Sequence, residues 1–191
     1  ITVGGKALRE HFEAINHRNA IYYVEDIIRK EEPFSEWQIR NIHQLILKNI
    51  DDDNAGRYRQ QNVLISGATT TPPDYTLLND KMTQPVDWYN SEAHKLHPIE
   101  RAAKVHADFV GIHPFIDGNG RTSRLLMNLE LLKAGYPPCV ITVENRLAYY
   151  EALDQWMAYG KTEAFIQLVS KAVIEGFKPY QVVLLPAKKR K

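Results

Sequence analysis

Between two stretches of helical spacing the sequence places His113-Pro114-Phe115-Ile116-Asp117-Gly118-Asn119-Gly120-Arg121, with Arg124 three residues further on. Together these residue types supply the parts of a phosphate-handling site. Gly118 and Gly120 permit positive φ and close backbone approach, so successive N–H groups can gather around an anion. The segment runs into a helix start, where unpaired amides and the helix dipole favour negative charge. Arg121 and Arg124, three apart, project from neighbouring positions on the first helical turn and can clamp phosphate oxygens with charge-assisted bonds. Asp117 is a hard oxygen ligand suited to Mg²⁺ on a nucleotide. His113 titrates near neutrality and can take a proton from an attacking hydroxyl. Pro114 and Phe115 fix the entry of the loop and anchor it in the core.

Helices must hold this segment in place, and almost every apolar pattern in the chain has helical spacing. Residues 6–30 put Leu8, Phe12, Ile15, Tyr22, Tyr23 and Ile27 on one side of a helical wheel. Ser35 with Gln38 reads as a capping box opening a helix with the stripe Ile39, Ile42, Ile46 and Ile50. Residues 98–112 and 121–134 read as the helices flanking the loop, the second stopped by Gly135. Pro85 and Pro98 each suit a first helical turn. Thr142 and Thr162 can cap helices over 143–158 and 163–175, the last ending at Gly176. Only 60–73 departs from this, with extended Val63-Leu64-Ile65, then Gly67 and Thr-rich sequence into Pro72-Pro73, a loop holding a short strand or hairpin. The fold class is therefore all-α with one β-hairpin-like excursion.

Composition narrows the function. With 191 residues, 44% hydrophobic and 25% charged, the chain is ordinary globular protein of single-domain length, spanning 1–191. A net charge of +1, from 24 basic against 23 acidic side chains, gives no basic excess to point to nucleic acid or an anionic membrane. One cysteine, Cys139, excludes an intrachain disulfide and suits a cytoplasmic setting, and its apolar neighbourhood suggests burial. No apolar run approaches the ~18 residues of a membrane span. The chain opens on Ile1 rather than Met, which suggests a piece of a longer protein. His106 reads as a core histidine, His97-Pro98 as a helix start, Asp51–Asp53 as a solvated acidic turn, and the basic tail 187–191 as a frayed end.

Residues 113–124 resemble the Fic family signature, HPF-x-DGNGR-x-x-R, at all nine of its fixed positions. The flanking helices, Gly135-Tyr136-Pro137 and Tyr149-Tyr150-Glu151-Ala152-Leu153 are similar to the same family, over a core of about residues 6–177. The resemblance implies a protein adenylyltransferase moving AMP from ATP to a Ser, Thr or Tyr hydroxyl of an unidentified target protein, with release of pyrophosphate. It implies His113 as general base, Asp117 as the Mg²⁺ ligand, the amides of Gly118, Asn119 and Gly120 around the α-phosphate, and Arg121 and Arg124 on the outer phosphates. Segment 60–73 resembles the family's target-docking flap, with Ile65, Ser66 and Gly67 pinning the target by β-augmentation. Gly67, Ala68, Tyr149 and Tyr150 would touch the nucleotide, with one tyrosine in the core and the other facing adenine. In some relatives an Asn stands where Met157 is, which bears on base selectivity.

The resemblance also implies self-regulation. Many members carry an inhibitory helix, Ser/Thr-x-x-x-Glu-Gly/Asn, whose Glu pairs with the second arginine, here Arg124. Residues 1–30 hold no such motif, and Ser170 with Glu175-Gly176 misses the spacing by one. The inhibitory element is thus expected upstream or on another chain such as an antitoxin, and relatives suggest a homodimer. Two other uses of the site stay open: removal of AMP or transfer of another phosphate-containing group, and an idle nucleotide-binding module.

Overall fold

The computed structural model describes residues 2–3 and 6–184, so the basic tail 187–191 lies outside the described residues. Two short strands, β1 (Thr2–Val3) and β2 (Lys6–Ala7), pair antiparallel and lead into α1 (Leu8–Arg29). Then come α2 (Glu36–Leu47), α3 (Leu78–Ser91), α4 (Pro98–Ile112), α5 (Asn119–Lys133), α6 (Arg146–Tyr159) and α7 (Glu163–Leu184).

Helix α5 is the axis of the molecule. It is buried almost all round, with Leu125, Leu126, Met127, Leu129 and Leu131 shielded from water, so it can only be a core helix. Helix α4 lies along it, and the pair separates two apolar cores. One is built with α1, α2 and α3 around Ile27, Ile42, Met82, Phe109 and Phe115. The other is built with α6 and α7 around Ala103, Leu131, Leu153, Phe165 and Val169. Glu130 of α5, fully buried, accepts from Arg101 (2.8 Å) and the Tyr89 hydroxyl (2.8 Å), joining α5 to α4 and α3. A buried carboxylate needs such partners, because its desolvation costs several kcal/mol.

Several boundaries differ from the sequence reading. The buried stripe of α1 is Asn16, Ala20, Val24 and Ile27, while Tyr22 faces solvent. Asn16 earns its place by donating to the carbonyls of Ile46 (3.1 Å) and Lys48 (2.6 Å), orphan groups at the end of α2. That end falls at Leu47, short of Ile50, because Lys48 leaves the helical region at ψ 129° and Asn49 follows left-handed. Ser35 does cap α2 in position, but its hydroxyl meets the Gln38 side chain rather than a helix amide. Helix α3 starts at Leu78, well before the Pro85 expected in a first helical turn: Pro85 lies inside it, and polar residues dilute the stripe of Leu78 and Met82. Pro98 does stand at the start of α4, where the His97 ring accepts from the Ile99 amide. Helix α6 starts at Arg146, so Thr142 instead holds the turn before it through Asn145. Gly176 does not stop α7. It lets the helix approach Pro137, whose Cγ would stand 3.1 Å from any added Cβ.

The hairpin expected at 60–73 is an irregular loop. It makes a turn in which the Ala68 amide donates to the Ile65 carbonyl (3.1 Å) and Gly67 takes φ 80°, but it forms no strand pairing. Leu64 is exposed, so no apolar face holds the segment against a neighbouring strand.

Two histidines lie wholly inside. Burial holds His43 neutral down to about 4, and His106 to about 3. Both are free to take a proton near 6.5 once unfolded, so the unfolded state binds more protons below that pH. Stability should therefore fall as pH drops from 6.5 toward 4, with His43 alone contributing on the order of 3 kcal/mol. Urea midpoints measured across this range, for the chain and for His43→Gln, check it; a flat profile for the parent chain would count against the burial argument.

Candidate active site

The loop between α4 and α5 is bent by two left-handed residues. His113 ends α4 at φ 50°, ψ 58°, and Gly118 begins α5 at φ 79°. At Gly118 the conformation and the space both require glycine, since an added Cβ would lie 3.1 Å from His43 Nε2. His43 holds the turn from beneath. The Gly56 amide donates to its Nδ1 (2.9 Å), so Nε2 carries the proton and donates to the Asp117 carbonyl (2.9 Å). Its ring stacks flat on Phe115, centroids 3.5 Å apart.

Asn119 is spent on the loop itself. Its side chain is buried, accepting from the Phe115 amide (3.0 Å) and donating to the Phe115 carbonyl (2.8 Å). It shapes the turn, and only its backbone amide is left for a ligand. Because α5 starts here, the amides of its first turn have no carbonyl of their own helix to bond, which leaves them open to an anion.

The His113 ring faces the Val110 carbonyl through Nδ1 (3.3 Å). A carbonyl only accepts, so Nδ1 carries the hydrogen and Nε2 keeps its lone pair. Burial lowers the affinity of the ring for a proton, and the Arg59 charge lowers it further against the opposing Val110 carbonyl. His113 is thus neutral at pH 7 and able to act as a base.

Charges beside it are arranged in a chain. Asp117 Oδ1 accepts from the Gly118 amide (2.6 Å), and Oδ2 meets Arg9 (2.7 Å) and Arg121 (3.4 Å). Burial works against the carboxylate, but the Gly118 amide, Arg121 and Arg9 outweigh it and keep Asp117 ionised. Arg121 also reaches Glu13 (3.3 Å). Arg124, by contrast, has no carboxylate partner among the described residues. No cluster of three His, Cys, Asp or Glu side chains able to hold a metal by itself occurs among the described residues. The donor chemistry at Asp117, one ionised carboxylate beside an anion site, suits Mg²⁺ shared with phosphate oxygens.

A cavity of about 490 Å³ brings His113, Gly120 and Arg124 together with Ile65, Ser66, Gly67 and Ala68 of the loop, and with Tyr149, Tyr150 and Met157 of α6. That volume suits a small-molecule ligand. Asp117, Gly118, Asn119 and Arg121 do not line it; they stand behind the turn or toward α1. The two tyrosines divide: Tyr149 is 5% exposed with its hydroxyl on His106 (2.9 Å), whereas Tyr150 is 52% exposed at the cavity rim. Cys139 is buried as expected, with its thiol pushed up to about 12. Glu175 pairs with Lys178 on α7, away from this cavity. A larger opening of about 720 Å³ lies across the loop, between α3, α4 and α6, but contains none of the signature side chains.

Three residues that hold the site escaped the sequence reading. His43 and Arg59 lie far away in sequence. Asp154 of α6 accepts from the Thr69 amide (2.7 Å) and hydroxyl (3.0 and 3.1 Å), pinning the loop over the cavity. The one available signal for Asp154 was its position a turn beyond Tyr150.

Among the described residues, seven helices frame a turn in which a histidine ends one helix and a left-handed glycine opens the next, an arrangement suited to an anion. Comparison with known proteins agrees: a sequence model of the Fic/DOC family matches residues 33–131, just over half of the chain, and the chain belongs to that family. It is 37% identical over 174 residues to protein adenylyltransferase fic-1 of Caenorhabditis elegans, covering 90% of this chain and 34% of that protein. It is 40% identical over 173 residues to protein adenylyltransferase Fic of Nematostella vectensis, covering 90% and 40%. A solved structure of Fic-1 from C. elegans superposes with a TM-score of 0.86 at 35% identity, covering 96% of this chain and 55% of that one. The chain thus spans between a third and two-fifths of the length of these curated relatives.

The Asp154 clamp is testable without a substrate. Asp154→Ala should speed hydrogen exchange of the Thr69 amide by about tenfold, the loss of ~1.4 kcal/mol from a charge-assisted bond. The melting temperature should hardly change, since the loop is exposed. Unaltered exchange would mean that the clamp does not order the loop.

Proposed function

We propose that this chain transfers AMP from ATP to a hydroxyl side chain of a target protein, releasing pyrophosphate. The observation that carries the reading is the neutral His113, with Nε2 free, in a cavity that also holds Arg124 and the opening of an anion-binding helix. The curated relatives named as protein adenylyltransferases support it.

In this reading the target hydroxyl gives its proton to His113 Nε2 as its oxygen forms a bond to the α-phosphorus. The bond from that phosphorus to the pyrophosphate oxygen breaks. The first-turn amides of α5 stabilise the charge that develops, and they are fixed in advance by the Asn119 and His43 contacts. Arg124 and Arg121 bind the outer phosphates. Mg²⁺ on Asp117, when bound, neutralises charge on the leaving side. Arg9 occupies Asp117 Oδ2 and Glu13 occupies Arg121, so both pairs must open as the nucleotide and its cation enter. Tyr150 and Met157, rather than the buried Tyr149, offer the adenine its surface. An acidic side chain brought to Arg124 from another segment or chain would compete with the outer phosphates.

Label transfer from ATP to proteins of a lysate tests the reading. Label at the α-phosphate should appear on protein and label at the γ-phosphate should not. His113→Ala should lower the rate by about 10²- to 10⁴-fold. Label from the γ-phosphate would make the enzyme a kinase, and none from either would favour an idle binding module.

The rate should also report the histidine. Only neutral His113 accepts a proton, and its proton affinity is lowered, so the neutral form persists below pH 6.5. The initial rate should be level between pH 7 and 8 and decline only below 6.5. A midpoint above 7 would assign the base to another group.

A further inference from the structure

We propose that Arg59 is a positioning residue that ties the backbone of His113 to both ends of the loop over the cavity, so that the loop and the base move as one unit. This rests on the functional reading above for the role of His113, though the coupling itself is a property of the fold.

Arg59 is 3% exposed and donates to four backbone carbonyls, one through its own amide and three through the guanidinium. Its own amide donates to the Pro114 carbonyl (2.9 Å), and Nε donates to the His113 carbonyl (2.9 Å). Nη1 donates to the Gln61 carbonyl (2.9 Å), and Nη2 to the Pro73 carbonyl (2.6 Å). Gln61 and Pro73 are the two ends of the loop, so one planar group holds its neck closed and grips the catalytic turn with its other edge. Asn62 completes the neck, donating to Asp74 (2.8 Å) and accepting from the Tyr75 amide (2.9 Å).

Two features mark this as more than packing. The guanidinium has no carboxylate within ion-pairing distance among the described residues, and burial depresses its hold on its proton while only Asp74 opposes. Burying a charge on carbonyls alone is costly, and an apolar side chain would fill the space more cheaply. The second feature is where the bonds land. His113 sits in the left-handed region at φ 50°, a strained conformation for a non-glycine residue. Its amide is held by Phe109 (3.0 Å), and its carbonyl is held by Arg59 Nε. Fixing both flanking peptides fixes ψ, and with it the direction in which the imidazole leaves the chain. A target segment that draws the loop toward α6, where Asp154 grips it, would load this link.

Hydrogen exchange and kinetics on the chain as it stands test the proposal. Arg59→Lys keeps the charge but cannot hold together the three carbonyls that the guanidinium bonds. It should speed exchange both in the loop, 62–73, and at residues 110–116. Asn62→Ala, at an exposed neck residue, removes only a long contact to Arg59 Nη1 (3.5 Å) and leaves the bonds of Arg59 to the backbone in place, so it should speed exchange in 62–75 only. AMP transfer by Arg59→Lys should fall at least tenfold at saturating ATP, while binding of a fluorescent ATP analogue changes less than threefold, since Arg59 does not line the cavity. If Arg59→Lys fails to fold, Arg59→Gln and the Asn62→Ala comparison carry the exchange arm. Exchange that changes only in the loop would overturn the proposal, as would a loss of nucleotide binding equal to the loss of transfer. Absence of transfer by the parent chain would count against the functional reading, with the exchange arm still deciding the coupling.

Discussion

A single buried imidazole sets the geometry from which the site follows. His43 fills the space that a side chain at residue 118 would need, bonds the Asp117 carbonyl, accepts the Gly56 amide and lies flat on Phe115. It is able to do all four only when neutral. A protonated ring has no acceptor for the Gly56 amide, and it would place a positive charge in a core beside Arg121. The lowered proton affinity is thus part of the architecture. Through that ring α2 reaches across and fixes where α5 begins. The start of α5 in turn decides which amides are unpaired and where an anion can sit. His106 repeats the device in the second core, where it braces Tyr149 of α6 against α4.

The charges at the site make a balanced set. Arg9, Asp117, Arg121 and Glu13 alternate in sign along one edge, each within 3.4 Å of the next. The pairs of Arg9 are exposed and worth about 1 kcal/mol or less apiece, while those of Arg121 are more sheltered, so a competing anion would open the Arg9 side first. Arg124 stands apart from this exchange. With no carboxylate partner among the described residues, it lines the cavity as a positive charge that the balanced pairs do not supply. Strong binding at one arginine and exchangeable pairs at the other would let nucleotide enter and products leave.

The readability of the site follows from how far apart its parts lie in the chain. His113, Asp117 and the glycines fall within one turn between two helices, so their types and order alone reveal the chemistry. Their supports do not. His43 falls next to Ile42 in the stripe of α2 and Arg59 falls in a loop, and a single chain gives no sign of which carbonyls a side chain will meet. The all-α class was legible from periodicity, yet the start of α3 was not, because Pro85 and a polar run obscure a stripe of only two buried residues. Gly176 misled for a related reason: a glycine chosen for close helix approach looks the same in sequence as one chosen to end a helix. The loop at 60–73 carried strand-like residues, but a strand needs a partner, and among the described residues no segment pairs with it.

That last point bears on how the loop can work. Its tip is pinned by Asp154, and its neck by Arg59 and Asn62, yet Leu64 and Ser66 between these anchors are exposed. Backbone of this kind, held at both ends and unpaired between them, has already lost part of the conformational entropy that pairing would otherwise cost. An extended segment laid along it would gain main-chain bonds at little further expense, with few side-chain demands. The same two anchors connect the loop to the residues that frame the cavity, α6 at one end and His113 at the other. Placement of an acceptor hydroxyl and orientation of the base would then be set by one rigid body, which is the condition under which proximity contributes most to a rate.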